Sequence, residues 1–173
     1  VINVNGTSVS GTYAGATWSI DEEGNFLLTG NITSTGNVSA TWKDYKDSIK
    51  TATFKDLTGL CYTGYFFEDC KNLESFTCIN VDSSKLNNMG SMFGSCESLT
   101  SLDFSNMDIS NVEYMYFAFE GCKSLKSIKW NQNKKNHKIK SFREIIEDSL
   151  NKIKFDEYQK YIDFLNKKEI FLK

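Results

Sequence analysis

The stretch FGSCESLTSLDFSN, residues 93–106, decides the fold because the chain carries its pattern three times. FEDCKNLESFTC begins at Phe67 and FEGCKSLKSIKW begins at Phe119, so each copy starts 26 residues after the one before it. Cysteine and leucine recur at matching positions in all three. The structural ladder expected from them consists of Cys70, Cys96, Cys122, Leu73, Leu99 and Leu125. Agreement at several positions indicates an internal repeat.

The spacing L-x-x-L-x-L inside a period of 26 lies in the range of leucine-rich repeats. Each copy predicts one short strand, in which Leu102 and Phe104 face a core while Ser101 and Asp103 face outward. One copy cannot bury its apolar side, but stacked copies bury a continuous core with equivalent side chains about 4.8 Å apart. The segments SSKLNNMGSMF and ISNVEYMYFAF repeat as well. Their apolar spacing predicts a helical or 3₁₀ turn opposite the strands, with methionine and aromatic residues as core filling.

The five cysteines are an odd number, which argues against a fully paired disulfide framework. Cys70, Cys96 and Cys122 share one column of the stack, where a small and weakly polar side chain suits a tight corner. A column forms a row rather than the tetrahedral cage that a metal requires. Structural thiols are therefore favoured, with one disulfide between neighbours or a metal site as alternatives. Cys78 is expected at a buried strand position, and Cys61 is left without an assignment.

The segment LNNMGSMFGSCESLTSLDFSNMDISNVEYMYFAFEGCKSLKSIKW resembles the BspA-like leucine-rich repeats of bacterial surface proteins. That family repeats a pattern close to N-V-x-x-M-x-x-M-F-x-x-C-x-S-L-x-x-L-D-L-S-x-F-D-T-S. The matching positions are Leu86, Val112, Met89, Met115, Met92, Phe93, Phe119, Cys96 and Cys122. Ala118 departs from the pattern by replacing its second methionine. GATWSIDEEGNFLLTG and WKDYKDSIKTATF resemble the N-terminal part of such proteins, so the likeness runs from about residue 10 to about residue 133.

The N-terminal part is predicted to be a β cap. TYAGATWSI and NFLLTGNIT are expected to form a hairpin around the acidic turn 21–24, which is interpreted as a solvated turn and not as a calcium site. Trp42, Tyr45 and Ile49 are expected to cover the open edge of the first repeat, because an exposed end strand would pair with another chain.

The C-terminal part is predicted to be helical. Ser141 with Glu144 forms a capping box, and a second helix start is expected at Asp156. Two short helices that seal the end of the array are the favoured interpretation, and a docking helix for another chain is the alternative.

The predicted fold class is therefore an α+β solenoid, a short leucine-rich-repeat array with an N-terminal β-hairpin cap and a C-terminal helical cap. The predicted boundaries are 1–50 for the cap, 51–133 for the repeats (units near 67–92, 93–118 and 119–133) and 134–173 for the helical segment.

Composition and isolated residues give little support to chemistry. The net charge of −2 provides no basic field for nucleic acid or an anionic membrane, and no apolar run is long enough to cross a bilayer. We therefore expect no nucleic-acid partner and no membrane insertion in this stretch. His137 is the only histidine and lies in the polar segment NKKNHK. No catalytic residue, metal or cofactor is predicted.

The predicted function is a non-enzymatic, secreted or cell-surface recognition module. The family resemblance implies adhesion to a host or neighbouring-cell protein or glycan, with any signal peptide and anchor outside this sequence. Stacked strands present an extended binding surface. The residues predicted to bind are Glu74, Ser75, Thr77, Ile79, Thr100, Ser101, Asp103, Ser105, Lys126, Ser127, Lys129 and Asn131. The alternatives are an intracellular scaffold that uses the C-terminal helices, or an accessory binding domain of a larger surface enzyme.

Overall fold

The protein is a solenoid built on one seven-stranded sheet, as seen in a computed structural model that describes residues 7–34, 38–131 and 163. The strands are β1 (Val9–Tyr13), β2 (Ala16–Ile20), β3 (Asn25–Asn31), β4 (Thr51–Thr58), β5 (Ser75–Val81), β6 (Ser101–Phe104) and β7 (Ser127–Trp130). They lie side by side in sequence order. The first three pair antiparallel, and β3 to β7 pair parallel. Four turns of chain therefore connect five parallel strands, which confirms the repeat solenoid.

The helical half of the predicted α+β class is not seen in this part of the chain. Among the described residues, regular helix is confined to the six-residue 3₁₀ helix Lys43–Ser48 and to Asp163. The predicted C-terminal helical cap, residues 134–173, lies outside the described residues except for that single position. The array itself is all β.

The strand register shows why one repeat escaped notice. Ser75, Ser101 and Ser127 are in-register neighbours 26 residues apart, but Ser75 also pairs with Thr51, which is only 24 residues away. Strand β4 is therefore a full member of the parallel array whose connection is two residues short. Phe26, at the matching position of β3, pairs with Ala52, so the array begins one strand earlier still.

The N-terminal hairpin differs from the prediction. TYAGATWSI is not one strand, because the chain reverses at Ala14 and Gly15, and Tyr13 pairs with Ala16. Both turn residues have positive φ, 48° and 98°, as a two-residue hairpin turn requires. The acidic turn forms as a loop stabilised from within, since the carboxylate of Asp21 accepts hydrogen bonds from the backbone N–H groups of Glu23 and Asn25.

The aromatic residues expected to cover an open edge lie elsewhere. Trp42 is completely buried, and its indole N–H donates to the carbonyl of Phe66 at 2.8 Å. Its ring lies 4.9 Å from that of Phe26 and 5.3 Å from that of Tyr13. Ile49 is also fully buried. The prediction was wrong because β3 already pairs with β4, so these side chains fill the interior of the first turn instead.

The segments opposite the strands form no continuous helix. Single turns such as Phe66 N–H to the Thr63 carbonyl alternate with hydrogen bonds to the next turn of the solenoid, for example Phe67 N–H to the Met92 carbonyl at 2.9 Å. Left-handed residues recur in register and interrupt any right-handed helix. One such column is Tyr65, Ser91 and Phe117, and another is Asp69, Ser95 and Gly121. The predicted helical turn is thus replaced by a second hydrogen-bonded seam.

The core between strands and seam is a column of aromatic rings. Phe93 stacks between Phe67 and Phe119, with ring centroids 5.7 Å and 6.3 Å away and interplanar angles of 14° and 11°. Phe76 and Phe104 contact the same ring from the strand side, at 5.2 Å and 6.1 Å. All five are buried. This column keeps the strands level and so fixes the surface that they present outward.

Candidate functional site

The outward side chains of the parallel strands form one continuous surface, which we call the strand face. Its members are Asn25, Leu27, Thr51, Thr53, Lys55, Ser75, Thr77, Ile79, Ser101, Asp103, Ser127 and Lys129. None of these side chains is buried, whereas their neighbours along each strand, such as Ala52, Phe76 and Leu102, are. Alternation therefore separates a dry core from a polar surface on the same strands.

The twelve residues predicted to bind occupy three places. Seven lie on the strand face: Ser75, Thr77, Ile79, Ser101, Asp103, Ser127 and Lys129. Ser105 and Asn131 directly follow β6 and β7. Glu74, Thr100 and Lys126 directly precede strands and form a row along one end of them, where the hydroxyl of Thr100 donates to the carbonyl of Glu74 at 3.1 Å. All twelve are at least partly exposed.

Sequence reasoning missed the part of the strand face that lies on β3 and β4. The hydroxyl of Thr51 donates to the side-chain carbonyl of Asn25 at 2.7 Å, and the hydroxyls of Thr53 and Thr77 are 3.3 Å apart. The sequence TATF resembles the outward-inward alternation of the later copies, so this signal was available. A strict 26-residue register conceals it, because β4 is 24 residues from β5.

Charge on the strand face is concentrated at its C-terminal end. Lys129 Nζ lies 3.3 Å from Asp103 Oδ2, and both side chains are well exposed. Burial alone would raise the pKa of Asp103, but hydrogen bonds from Ser105 and the neighbouring Lys129 lower it on balance. An exposed pair of this kind contributes only about 0.2–1 kcal/mol to stability. Its effect is to mark one end of a surface that is otherwise neutral and rich in hydroxyl groups.

Ile79 is the exception on this polar surface. It is 49% exposed and lies beside Lys55 of β4. Tyr65 is the other large apolar residue with such exposure in the described part of the chain, and it is not on a strand. A buried hydrophobic anchor surrounded by polar groups is a common arrangement at protein interfaces. Ile79 can provide such an anchor on the strand face.

The cysteine column has a hydrogen-bonding role. The thiol of Cys96 donates to the carbonyl of Phe67 at 3.0 Å, and the thiol of Cys122 donates to the carbonyl of Phe93 at 3.1 Å. Each thiol thus joins one turn of the solenoid to the turn before it. Burial raises the pKa of Cys70 to about 12, so its thiol is protonated and unreactive at neutral pH.

The remaining cysteines and the titratable residues form no reactive group. Cys78 is buried on β5, and the half-buried Cys61 donates to the carbonyl of Ser34 at 3.4 Å. All five thiols are free. Among the described residues, no three of the histidine, cysteine and acidic side chains converge in a way that could hold a metal ion. His137 lies outside those residues.

Comparison with known proteins gives a family and one structural likeness. A family model described as "Mycoplasma protein of unknown function, DUF285" matches residues 36–155, more than half of the chain. A crystal structure of a leucine-rich repeat protein from Eubacterium ventriosum is similar, at 15% identity and a TM-score of 0.34. The match covers 76% of this chain and 46% of that one, so this chain spans less than half of that protein's length.

Two further comparisons give negative results. No curated protein matches the chain. Within the described ranges, none of the helices has the length and apolar character needed to cross a bilayer.

Proposed function

The chain belongs to the DUF285 family, and because the description of that family assigns no activity, we propose from the geometry that the protein is a non-enzymatic recognition module at a cell surface. It binds a protein or glycan of a host or neighbouring cell through the strand face. The exposed surface of a repeat array is the part that such proteins commonly use for binding.

The observation that carries the proposal is the composition of the strand face. Hydroxyl and amide side chains repeat along the strands about 4.8 Å apart, on a backbone that the core holds in place. A rigid surface loses little conformational entropy when it binds. The neutral hydroxyls provide hydrogen bonds, Ile79 provides an apolar contact, and Asp103 with Lys129 provides a charged end.

The surface location of this module rests on its likeness to bacterial surface repeats in sequence pattern. The matching positions, from Leu86 to Cys122, form the column side and the seam of the solenoid. Adhesion, as opposed to another kind of recognition, is part of the same proposal.

A glycan array and a host-protein pulldown should identify a ligand, and variants should then locate its site. We expect Ile79→Ser combined with Asp103→Asn and Lys129→Gln to weaken binding about tenfold or more, because central apolar anchors carry much of the energy of an interface. The measurement is the Kd by calorimetry.

The chain provides a matched control for the charge changes. Lys123 and Glu97 form an ion pair of 3.0 Å with similar exposure on the segments that connect the strands. Glu97→Gln with Lys123→Gln should change the Kd by less than about twofold. Equal binding by the strand-face variant and the unaltered protein would exclude this surface.

A further inference from the structure

A groove of about 600 Å³ lies away from the strand face, between the 3₁₀ helix Lys43–Ser48 and the segment that connects β4 to β5. Its lining includes Ala40, Lys43, Tyr62, Tyr65, Glu68 and Asp69. These residues come from two parts of the chain about 20 residues apart, and none of them belongs to the surface proposed above. The groove is open and combines aromatic with acidic side chains.

Tyrosine rings lie on glycines at this site. A Cβ atom on Gly90 would be only 2.5 Å from the ring of Tyr116, and one on Gly64 would be 2.6 Å from the hydroxyl oxygen of Tyr62. Absence of a side chain thus allows each ring to rest on the backbone. The hydroxyl of Tyr116 lies 3.3 Å from that of Tyr65, which is 46% exposed. The result is a patch of fixed aromatic rings beside the groove.

The charge around the groove is unbalanced toward negative. Asp44, Glu68 and Asp69 line it against two lysines. Lys46 is paired with Asp69 at 3.2 Å, and the described residues place no cation within ion-pair distance of Glu68. Partial burial, the nearby Asp69 and the more distant Glu120 raise the pKa of Glu68. A ligand that brings a positive charge to Glu68 would relieve this repulsion.

We propose that this groove binds a basic side chain, arginine or lysine, presented by an extended segment of a partner protein. The cation lies between the carboxylate of Glu68 and the exposed ring of Tyr65, because carboxylates and aromatic faces both attract cations. A neutral glycan could stack on the same rings but would leave the charge of Glu68 uncompensated. This site is independent of the strand face, and its failure or success leaves the proposed function untouched.

The test uses an acetylated, amidated tetra-arginine peptide and its tetra-citrulline counterpart, which has nearly the same shape without the charge. Calorimetry at low ionic strength should show binding of the arginine peptide alone. Glu68→Gln should weaken it about tenfold, since a hydrogen bond to a charged group is lost. Tyr65→Asn, which suits the left-handed backbone at φ 62°, should weaken it about threefold, whereas Tyr65→Phe should bind like the unaltered protein.

Glu22→Gln is the matched control, because it removes one negative charge from an exposed turn far along the chain from the groove. It should change the Kd by less than about twofold. Melting temperatures of all variants show whether each one folds. The proposal is overturned if the citrulline peptide binds equally well, if Glu22→Gln weakens binding as much as Glu68→Gln does, or if neutral oligosaccharides bind in preference to the arginine peptide.

Discussion

Replacement of Phe93 by alanine should lower the free energy of unfolding by about 3–5 kcal/mol, the usual cost of removing a buried phenylalanine. Phe93 is fully buried and contacts the rings of Phe67, Phe76, Phe104 and Phe119. It therefore joins three consecutive turns of the solenoid. Because stability in a repeat array depends on contacts between neighbouring turns, a cavity at this position weakens the array on both sides. Urea denaturation followed by circular dichroism measures the change.

Two further variants separate the effect of packing from that of hydrophobicity. Phe93→Leu leaves a smaller cavity and should cost clearly less than the alanine variant. Ile79→Ala removes an apolar side chain that is half exposed, and it should cost less than about 1 kcal/mol. Equal losses at Phe93 and Ile79 would show that the aromatic column does not hold the turns together.

Stability should also fall steeply above about pH 9, at roughly 1.4 kcal/mol per pH unit for each buried thiol. The pKa of Cys70 is raised from 9.0 to about 12, and burial raises the pKa of Cys78 and Cys96 as well. Between the two pKa values the unfolded chain has lost its thiol proton while the folded protein retains it. The unfolded state is then favoured increasingly as pH rises, and three thiols together give about 4 kcal/mol per pH unit.

The slope of stability against pH is the measurement, obtained from denaturation curves at a series of pH values from neutral to alkaline. Cys96→Ser is the informative variant, because serine retains a donor for the carbonyl of Phe67 but does not ionise in this range. Its slope should be lower by about one thiol's share. A stability that stays level through pH 10 would mean that the thiols are exposed to water in the folded protein.

Much of the array was predictable from the sequence, because stacking requires equivalent residues at a constant spacing. Phe67, Phe93 and Phe119 state that spacing openly. The missed strand β4 follows from the same physics, since the shortened connection before Ser75 alters the count between strands without altering their register. In the N-terminal hairpin a signal was present. The inward residues change phase between Tyr13 and Ala16, and such a change requires a turn.

The rest depends on contacts that no local pattern encodes. The helical turns failed because residues such as Tyr65 and Phe117 adopt positive φ, which aromatic side chains rarely do and which the hydrogen bonds between turns impose here. Seven of the twelve predicted binding residues lie on the strand face because alternation determines which way they point. The groove beside Tyr65 could not be predicted, because it forms where the 3₁₀ helix passes a segment far from it in sequence.

Disulfide formation between Thr53→Cys and Thr77→Cys, in a chain that also carries Cys61→Ser, is the most direct test of the stacked register. These positions are paired neighbours on β4 and β5, with their hydroxyls 3.3 Å apart, and in-register strands hold Cα atoms within the range that a disulfide needs. Mild oxidation followed by peptide mapping should show the 53–77 crosslink in most molecules. The pair Thr53→Cys and Ile79→Cys, offset by one further strand repeat, should crosslink poorly. Preferential linkage of 53 to 79 would mean that the turns keep a strict 26-residue step at β4, and that the strand face described above does not exist in this form.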